Sequence, residues 1–320
     1  MDPPPDAEPH QTRKLSRVSM NASIPTAFEM YFAREEADSR ECEEREDLFF
    51  HSIELRNGTR KTTRHRRLDD LNALVQRVLP PQRPLEIMDV AVSSGVSTAE
   101  WLVELERAGV ECRMLAGDAV VNAFLISLGP NLRALSDQTG HLMQLDIKGE
   151  AVRMPPPRRR DRIRYFPHVL LMRAATRLFD LRKAPRPRHA SAGESVQHRL
   201  GVTCRPLKLM SPSLNQLPQL QAVEDDILLN RDYARRFHVL RAANILNLAY
   251  FDTATLLRML RNLRARLLPG GLLIVCRTND AEINNASVFT LGDDGRFTTT
   301  ACLNEGSEIA DLVLGLPAEY

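Results

Sequence analysis

Residues 85–101, LEIMDVAVSSGVSTAEW, decide the fold of this chain. The apolar run over residues 87–92 predicts a strand, and the pattern of residues 98–108 predicts an amphipathic helix. Between them, residues 91–95 form a turn of alanine, valine, two serines and one glycine. A strand, a turn of small residues and a helix are typical of α/β sheets that bind a ligand at the carboxyl ends of their strands.

A second segment, residues 237–277, reads FHVLRAANILNLAYFDTATLLRMLRNLRARLLPGGLLIVCR. Its pattern predicts a strand over residues 237–244, a helix over residues 253–267 and a strand over residues 271–276. Further on, the Asp-Gly pair at residues 294–295 separates two β-rich runs and predicts a hairpin. We therefore expect an α/β fold with an open, doubly wound, mostly parallel sheet that ends in a C-terminal antiparallel hairpin.

The chain between these two segments does not keep a regular α/β alternation. Residues 111–116 predict the second strand, and residues 120–128 predict a helix. An inserted segment then follows at about residues 129–203. The sheet is expected to resume with residues 206–212 and 219–228, so that residues 85–320 form one domain with an insertion.

The first 84 residues precede this domain. Residues 1–24 are polar and rich in proline, which predicts a disordered tail. Residues 25–84 predict a helical region with a helix over residues 26–50, either docked through its aromatic ends or acting as a lid over a ligand. A basic run over residues 59–67 leads into a short amphipathic helix over residues 68–79.

Composition excludes several classes of protein. The net charge of +2 gives no global preference for nucleic acid. Five cysteines without CxxC spacing argue against a disulfide framework or a zinc site, and the histidines lack HxH or HExxH spacing, so we expect no metal. The chain starts without a secretory signal pattern and has no apolar run long enough to span a membrane, which predicts a cytoplasmic protein.

The small-residue turn limits the choice of ligand. In a dinucleotide-binding G-x-G-x-x-G loop, glycines would stand at the positions of Ala91, Ser93 and Val96, so NAD is disfavoured. Ser93 and Ser94 can donate hydroxyl hydrogens to a carboxylate. The helix that starts after Gly95 offers unpaired N–H groups to an anion. A tight turn without a ligand is the alternative.

Acidic residues follow the neighbouring predicted strands. Asp118 stands at the end of the second strand, where it could accept hydrogen bonds from ribose hydroxyls or simply form part of a turn. Asp225 and Asp226 close a third strand and could face an adenine amine or cap a loop. His238 lies within a predicted strand, which favours a structural histidine over a catalytic base.

These features resemble class I S-adenosylmethionine-dependent methyltransferases over residues 85–128 and 205–320. Residues 89–95 stand where that family has an acidic residue and a glycine-rich loop. Within the class, the chain is most similar to the chemotaxis-receptor methyltransferases, whose loop also carries Ala and Ser in place of two glycines. Their F-D-x-I-x-x-x-N-V-L-x-Y-F segment corresponds to residues 237–251, and the LPGG of residues 268–271 matches the turn before their fifth strand.

The resemblance implies a Rossmann-like methyltransferase fold and a pocket for S-adenosylmethionine. The serines and glycine of the loop would hold the methionine part, and the loop's acidic residue would support it. Asp118 would hold the ribose, Asp226 the adenine, and Asn244 would line the face of methyl transfer. The cofactor-binding residues implied in this way are Asp89, Ala91, Ser93, Ser94, Gly95, Asp118, Asp226 and Asn244.

The acceptor side is less constrained by the sequence. Methyl transfer is an in-line displacement at a sulfonium carbon, so the protein mainly positions the nucleophile and needs no strong base. Arg241 and Arg277 would either bind an anionic acceptor or form surface ion pairs. The acceptor-side candidates, all near predicted strand ends, are Asn244, Arg241, Tyr250, Arg277 and Asn279.

A basic segment lies within the insertion. Residues 153–188 contain 12 Lys or Arg and 2 Asp or Glu around an apolar stretch. This pattern fits either a helix packed on the core with a solvated basic loop, or peripheral contact with an anionic membrane or an acidic partner. The aromatic residues Tyr165, Phe166 and Phe179 are too few and too scattered for a nucleic-acid stacking platform, so nucleic acid is disfavoured.

Three functions remain open at this point. The first is S-adenosylmethionine-dependent methyl transfer to a small molecule, lipid or protein side chain. The second is a non-catalytic, methyltransferase-like binding or regulatory module, suggested by the lost loop glycines and by His238 in place of the family's usual Asp. The third is another α/β enzyme such as a nicotinamide dehydrogenase, which the loop sequence disfavours.

Overall fold

The computed structural model describes residues 23–33, 39–56, 58–61, 64–187, 195–229 and 233–318. The tail predicted to be disordered, residues 1–24, lies outside this part except for its last two residues. The helices are α1 (Ala27–Phe32), α2 (Ser39–Ser52), α3 (Asp69–Val78), α4 (Val96–Arg107), α5 (Arg159–Thr176), α6 (Thr253–Arg266) and α7 (Ala310–Leu314), with a 3-10 helix at Pro212–Gln216. The strands are β1 (Leu85–Val90), β2 (Cys112–Asp118), β3 (Asn122–Leu128), β4 (Leu132–Asp137), β5 (Leu142–Ile147), β6 (Glu150–Arg153), β7 (Gln197–Arg199), β8 (Val202–Lys208), β9 (Leu220–Glu224), β10 (Phe237–Ala243), β11 (Leu267–Thr278), β12 (Asn284–Leu291) and β13 (Phe297–Leu303).

The first sheet has seven strands in the order β13-β12-β11-β10-β1-β2-β9. All neighbours from β9 to β11 are parallel, whereas β12 and β13 pair antiparallel at the other edge. α4 connects β1 to β2, and α6 connects β10 to β11. The predicted α/β fold, with its open, mostly parallel sheet and C-terminal hairpin, is therefore confirmed.

Helices cover both faces of this sheet, as the doubly wound arrangement requires. Ile87 and Val239 pack with α3 and α4 on one face. Their neighbours Met88 and Leu240 pack with α6 and α7 on the other. Because both faces are buried, β1 and β10 are mostly apolar and show no regular alternation of apolar and polar residues.

Residues 122–208 form a second sheet, with six antiparallel strands in the order β6-β5-β4-β3-β8-β7. The helix predicted over residues 120–128 is wrong, because these residues contain β3. Phe124 and Ile126 pack into one hydrophobic cluster and their neighbours into another, on opposite faces. A strand buried on both faces gives an unbroken apolar run, which does not reveal its period of two.

The end of the second sheet also corrects an expectation. Residues 206–208 belong to β8, which pairs antiparallel with β3, and the first sheet resumes only with β9. The second sheet is therefore wider in sequence than the insertion expected at residues 129–203. The division of the chain into a helical region at residues 25–84 and one domain at residues 85–320 that contains an insertion stays a prediction.

Helices also sandwich the second sheet. Tyr31, Phe49 and Phe50 of α1 and α2 pack on one face, where the sequence predicted a single helix with aromatic ends. Met172 and Ala175 of α5 pack on the other face. Within the described part of the chain, no helix is both long and apolar enough to cross a membrane.

A buried ion pair ties the end of β9 to the end of α6. The side chains of Asp225 and Arg266 are both 0% exposed, and their closest contact joins Nη1 to Oδ2 at 2.6 Å. A second bond joins Nη2 to Oδ1 at 3.2 Å, and the carbonyl oxygen of Leu229 accepts from the same guanidinium at 3.3 Å. Such a pair is costly to break from one side, since the remaining charge stays buried.

We expect Arg266→Met to lower the free energy of unfolding by about 3–5 kcal/mol, because it removes the cation facing a buried carboxylate. Urea unfolding followed by circular dichroism measures this. The exposed Arg261 on the same helix is the matched control, and Arg261→Met should change stability by less than about 0.5 kcal/mol. The double variant Arg266→Met/Asp225→Leu should recover most of the loss. A single variant as stable as the parent would contradict this role for the pair.

Candidate functional site

A cavity of about 1040 Å³ opens at the carboxyl ends of the parallel strands. In the sheet, β2 lies on one side of β1 and β10 lies on the other, so the strand order changes direction at β1. Ligands of open α/β sheets bind at such a change of direction. The cavity is lined by loops after β1, β2, β9, β10 and β11, and by residues 55, 58–61, 67 and 68 of the segment that precedes α3.

The loop after β1 has the backbone of a glycine-rich turn. The φ angles of Ala91, Ser93 and Gly95 are 56°, 60° and 81°, so every second residue is left-handed. A side chain at Gly95 would also collide with Met210, whose terminal carbon lies 2.8 Å from the Cβ position. Small residues were expected in this turn, and the left-handed backbone of Ala91, Ser93 and Gly95 gives the reason.

Asp89 lies beneath this loop and joins its two ends. Its carboxylate is 3% exposed. Thr98 of α4 donates its hydroxyl hydrogen to Oδ2 at 2.7 Å. Arg241 of β10 donates from Nε to Oδ1 at 3.1 Å and from Nη2 to Oδ2 at 2.5 Å. The carboxylate therefore fixes the loop from below, at the wall of the cavity.

The position of Arg241 corrects the expectation of a surface ion pair, because the residue is buried at the wall of the cavity. The residue is 1% exposed, because it stands opposite Asp89 on the adjacent strand. Its Nη1 donates to the side chain of Asn72 at 2.9 Å, and Nη2 to the carbonyl of Ser97 at 3.1 Å. The guanidinium also lies 4.2 Å from the ring centre of Trp101. Arg241 is thus a structural residue of the loop.

The two loop serines differ in their surroundings. Ser93 lines the cavity, whereas Ser94 is 0% exposed and its carbonyl oxygen accepts from the N–H of Ser211 at 2.7 Å. Neither hydroxyl oxygen has a hydrogen-bond partner within the described residues. Gly95, at the start of α4, is covered by Met210 and Leu214. Of the expected anion-binding groups, the structure therefore brings Ser93 to the cavity and turns Ser94 and Gly95 away from it.

Asp118 reaches the cavity but already has three donors. Lys61 donates from Nζ to Oδ1 at 3.2 Å, and the N–H of Val120 donates to the same oxygen at 3.1 Å. The N–H of Ser93 donates to Oδ2 at 2.8 Å. A carboxylate has about four lone-pair positions, so a ribose hydroxyl finds about one of them free.

Lys61 is the cavity residue that the sequence analysis missed. It is 1% exposed, and its ammonium also donates to the carbonyl oxygen of Ser93 at 2.7 Å. The basic run at residues 59–67 signals a charged segment, but no pattern in it shows which side chain turns inward. Lys61 thus links the segment before α3 to both the loop and the second strand.

The acidic pair after β9 divides into two roles. Asp225 is buried with Arg266, as described above, and does not offer a free carboxylate to adenine. Asp226 is half-buried on the cavity wall, and its Oδ1 accepts from the N–H of Leu228 at 2.9 Å. Asp226 is therefore the member of the pair that can meet a ligand.

The opposite wall contains the remaining acceptor-side candidates. Asn244 has a φ of 61° and both bonds of its amide go to Thr278, at 2.7 and 3.2 Å. Tyr250 is 70% exposed at the cavity edge. Arg277 pairs with Glu308. Each of the three lines the cavity.

Asn279 and His238 complete the predicted set. The side-chain oxygen of Asn279 accepts from the N–H groups of Ala281 and Ile283, both at 3.0 Å, so it holds its own turn. His238 accepts at Nδ1 from the N–H of Glu86 at 3.0 Å within the sheet, which agrees with a structural histidine. In the described ranges, no group of acidic, cysteine and histidine side chains has the geometry of a metal site.

Arg67 is a second cavity residue that sequence reasoning missed. Its Nε donates to the hydroxyl of Thr278 at 3.2 Å, and no carboxylate of the described residues lies within ion-pair distance. Burial, together with the neighbouring Arg64, lowers the pKa of Arg67, whereas Glu282 acts in the opposite direction. The acceptor-side wall therefore carries a partly buried cation.

Comparison with known proteins gives structural likeness without sequence kinship. No protein-family model and no curated sequence matches the chain. It is similar to the methyltransferase domain of citrinin polyketide synthase, with 16% identity, 66% of this chain and 33% of that chain covered, and a TM-score of 0.31. It is also similar to the N-methyltransferase NodS from Bradyrhizobium japonicum in complex with S-adenosylhomocysteine. The identity is 12%, 68% of this chain and 64% of that chain are covered, and the TM-score is 0.30.

A third similar structure is the [4+2]-cyclase SpnF, with 10% identity, 67% of this chain and 47% of that chain covered, and a TM-score of 0.30. The chain thus spans between a third and a half of the length of several chains that it matches.

The loop geometry predicts strain at Ala91 and Ser93, two non-glycine residues with left-handed backbone. Left-handed backbone costs a non-glycine residue about 1–2 kcal/mol. Replacement by glycine removes this cost, but it loses about 0.5–1 kcal/mol because glycine has more conformational entropy in the unfolded chain. Ala91→Gly and Ser93→Gly should therefore each raise the free energy of unfolding by up to about 1 kcal/mol in urea titrations. Ala119→Gly, at a residue without positive φ, is the control and should lower it. Lower stability in both loop variants would show that the strain argument is wrong.

Proposed function

We propose that this chain binds S-adenosylmethionine in the cavity and transfers its methyl group to an acceptor that enters beside Asn244 and Tyr250. One observation carries the proposal: a left-handed loop anchored by Asp89 faces a cavity of about 1040 Å³ that also holds Asp118 and Asp226. This volume is at the upper end of small-molecule sites and suits a nucleoside together with an acceptor.

The residues divide between the parts of the cofactor. The unpartnered hydroxyl of Ser93 supplies a donor to the methionine carboxylate. The remaining lone pair of Asp118 accepts from a ribose hydroxyl, and Asp226 accepts from the adenine amine. We also propose the chemotaxis-receptor branch of these methyltransferases, from the likeness of residues 237–251. We place the protein in the cytoplasm, in keeping with five cysteines that lack CxxC spacing.

The chemistry needs positioning more than acid–base catalysis. The bound cofactor supplies a methyl group on a positively charged sulfur. Ser93, Asp118 and Asp226 would hold the cofactor, which would supply this methyl group to the acceptor and keep the electron pair of the broken carbon–sulfur bond. Asn244, held by Thr278, shapes the approach to the methyl group. Arg67 favours an acceptor that carries an anionic group, because its own charge has no carboxylate partner in the described residues.

One observation favours a second candidate, a non-catalytic binding or regulatory module. The ammonium of Lys61 already occupies the carbonyl of Ser93 and the carboxylate of Asp118, and it is almost fully buried. In this second function, Lys61 takes the place of the ligand and the cavity wall is a self-contained structure.

Calorimetric titration with S-adenosylmethionine and S-adenosylhomocysteine, with NAD as the negative control, tests the proposed site. We expect both sulfur ligands to bind and NAD not to bind. Asp226→Asn should weaken their affinity about tenfold, the cost of one hydrogen bond to a charged group. Asp293→Asn, in the exposed turn of the C-terminal hairpin, should leave it unchanged. Equal affinity in Asp226→Asn and the parent would remove Asp226 from the site.

Lys61→Met separates the two candidate functions. The variant should be less stable to heat, because Asp118 loses its cation, and its affinity for S-adenosylhomocysteine should rise several-fold because a lone pair is freed. Binding by the parent protein supports the enzyme, and methyl transfer from labelled cofactor to lipid, protein and small-molecule fractions then identifies the acceptor. Binding only by Lys61→Met supports the module in which Lys61 fills the site. Binding by neither protein contradicts the cofactor site altogether.

A further inference from the structure

The helix α5 has an apolar stripe on the side that faces away from the protein. Met172, Ala175 and Thr176 pack on the second sheet. On the opposite side of the helix, Ile163, Phe166 and Leu170 follow one another at spacings of three and four residues. They are 73%, 62% and 59% exposed, which is unusual for side chains of this size.

Arginines flank this stripe along both edges. By helical spacing, Arg162 and Arg173 lie on one edge and Arg160 and Arg164 on the other. None of them lies within ion-pair distance of a carboxylate in the described chain, and Asp161 is the one acidic residue that α5 itself contains. The outer face of α5 therefore combines exposed apolar side chains with uncompensated positive charge.

A shallow recess adjoins the stripe. It has a volume of about 200 Å³ and lies between α5 and the segment before it. Met154, Pro156, Phe166 and Leu170 give it an apolar floor. Arg162 and Arg173 stand at its rim, so an apolar chain and an anionic group can be accommodated side by side.

We propose that the outer face of α5 docks on a bilayer that contains anionic phospholipids. Helices that lie in a membrane interface combine an apolar stripe that enters the acyl region with Lys or Arg that contact the headgroups. Anionic lipid phosphates attract each basic residue near the surface. Both features are present on the same face here.

Other occupants satisfy only part of this face. A second copy of α5 would cover the apolar stripe but bring two rows of arginines together, which charge repulsion opposes. A nucleic acid or an acidic protein segment would neutralise the arginines but leave the apolar side chains of Ile163, Phe166 and Leu170 exposed to water. An anionic bilayer matches the stripe and both arginine rows at once.

Flotation of the full-length protein with lipid vesicles tests the proposal. The parent should float with vesicles of phosphatidylcholine mixed equally with phosphatidylserine, and not with phosphatidylcholine alone. The apolar variant Ile163→Ser/Phe166→Ser/Leu170→Ser and the charge variant Arg160→Gln/Arg164→Gln/Arg173→Gln should each bind about 100-fold more weakly. The matched controls Leu200→Ser, at a residue 88% exposed elsewhere, and Arg261→Gln should bind as the parent does.

A second measurement follows the helix itself. The chain has one tryptophan, the buried Trp101, so Phe166→Trp adds a reporter on α5. Its fluorescence should shift to the blue with mixed vesicles and stay unchanged with phosphatidylcholine alone. This readout remains valid if a triple variant fails to fold, which circular dichroism would show.

Three results would overturn the proposal. The first is a parent protein that does not float with the mixed vesicles. The second is an apolar variant that binds them as tightly as the parent does, which would identify an electrostatic surface for an acidic macromolecule. The third is a protein that floats without a shift of the Phe166→Trp fluorescence, which would place the lipid contact elsewhere on the chain.

Discussion

The buried pair between Asp89 and Arg241 is the contact on which the cavity depends. It crosses from β1 to β10 at the point where the direction of the fold changes. Through Arg241 it also reaches Asn72 of α3 and the carbonyl of Ser97 in the first turn of α4. Losing one member of such a pair costs about 3–5 kcal/mol, a large fraction of the roughly 5–15 kcal/mol by which a folded protein is stable. The strained loop above it persists because this network determines where both of its ends lie.

The sequence predicts the first sheet well because its signals are local. A strand, a small-residue turn and a helix are adjacent in the chain, so residues 85–101 suffice to identify them. The same holds for β10, α6, β11 and the final hairpin. The helix prediction for residues 120–128 was wrong for a physical reason. β3 is buried on both faces, and only its pairing with β4 and β8 distinguishes it from a buried helix.

The candidate site is less predictable because its contacts join distant parts of the chain. Asp118 was identifiable as the acidic residue after β2, but its partner Lys61 comes from a segment 57 residues earlier. Arg241 was visible as a strand-end arginine, and only the register of β1 against β10 shows that it faces Asp89 and not solvent. Residue type and spacing can therefore propose a site, whereas register decides which of its charges are already paired.

Charge is unevenly distributed along the chain. Residues 153–188 carry 12 basic and 2 acidic residues, while the whole chain has a net charge of only +2, so the remainder is net negative. At physiological ionic strength, charges are screened beyond about 8 Å, so each region acts mainly on what it touches. A basic α5 attracts an anionic surface while the acidic remainder is repelled by it, which favours one orientation of the molecule over others. The charged pairs of the cavity, Lys61 with Asp118 and Asp89 with Arg241, are buried and already satisfied, so the proposed docking of α5 would leave them unchanged.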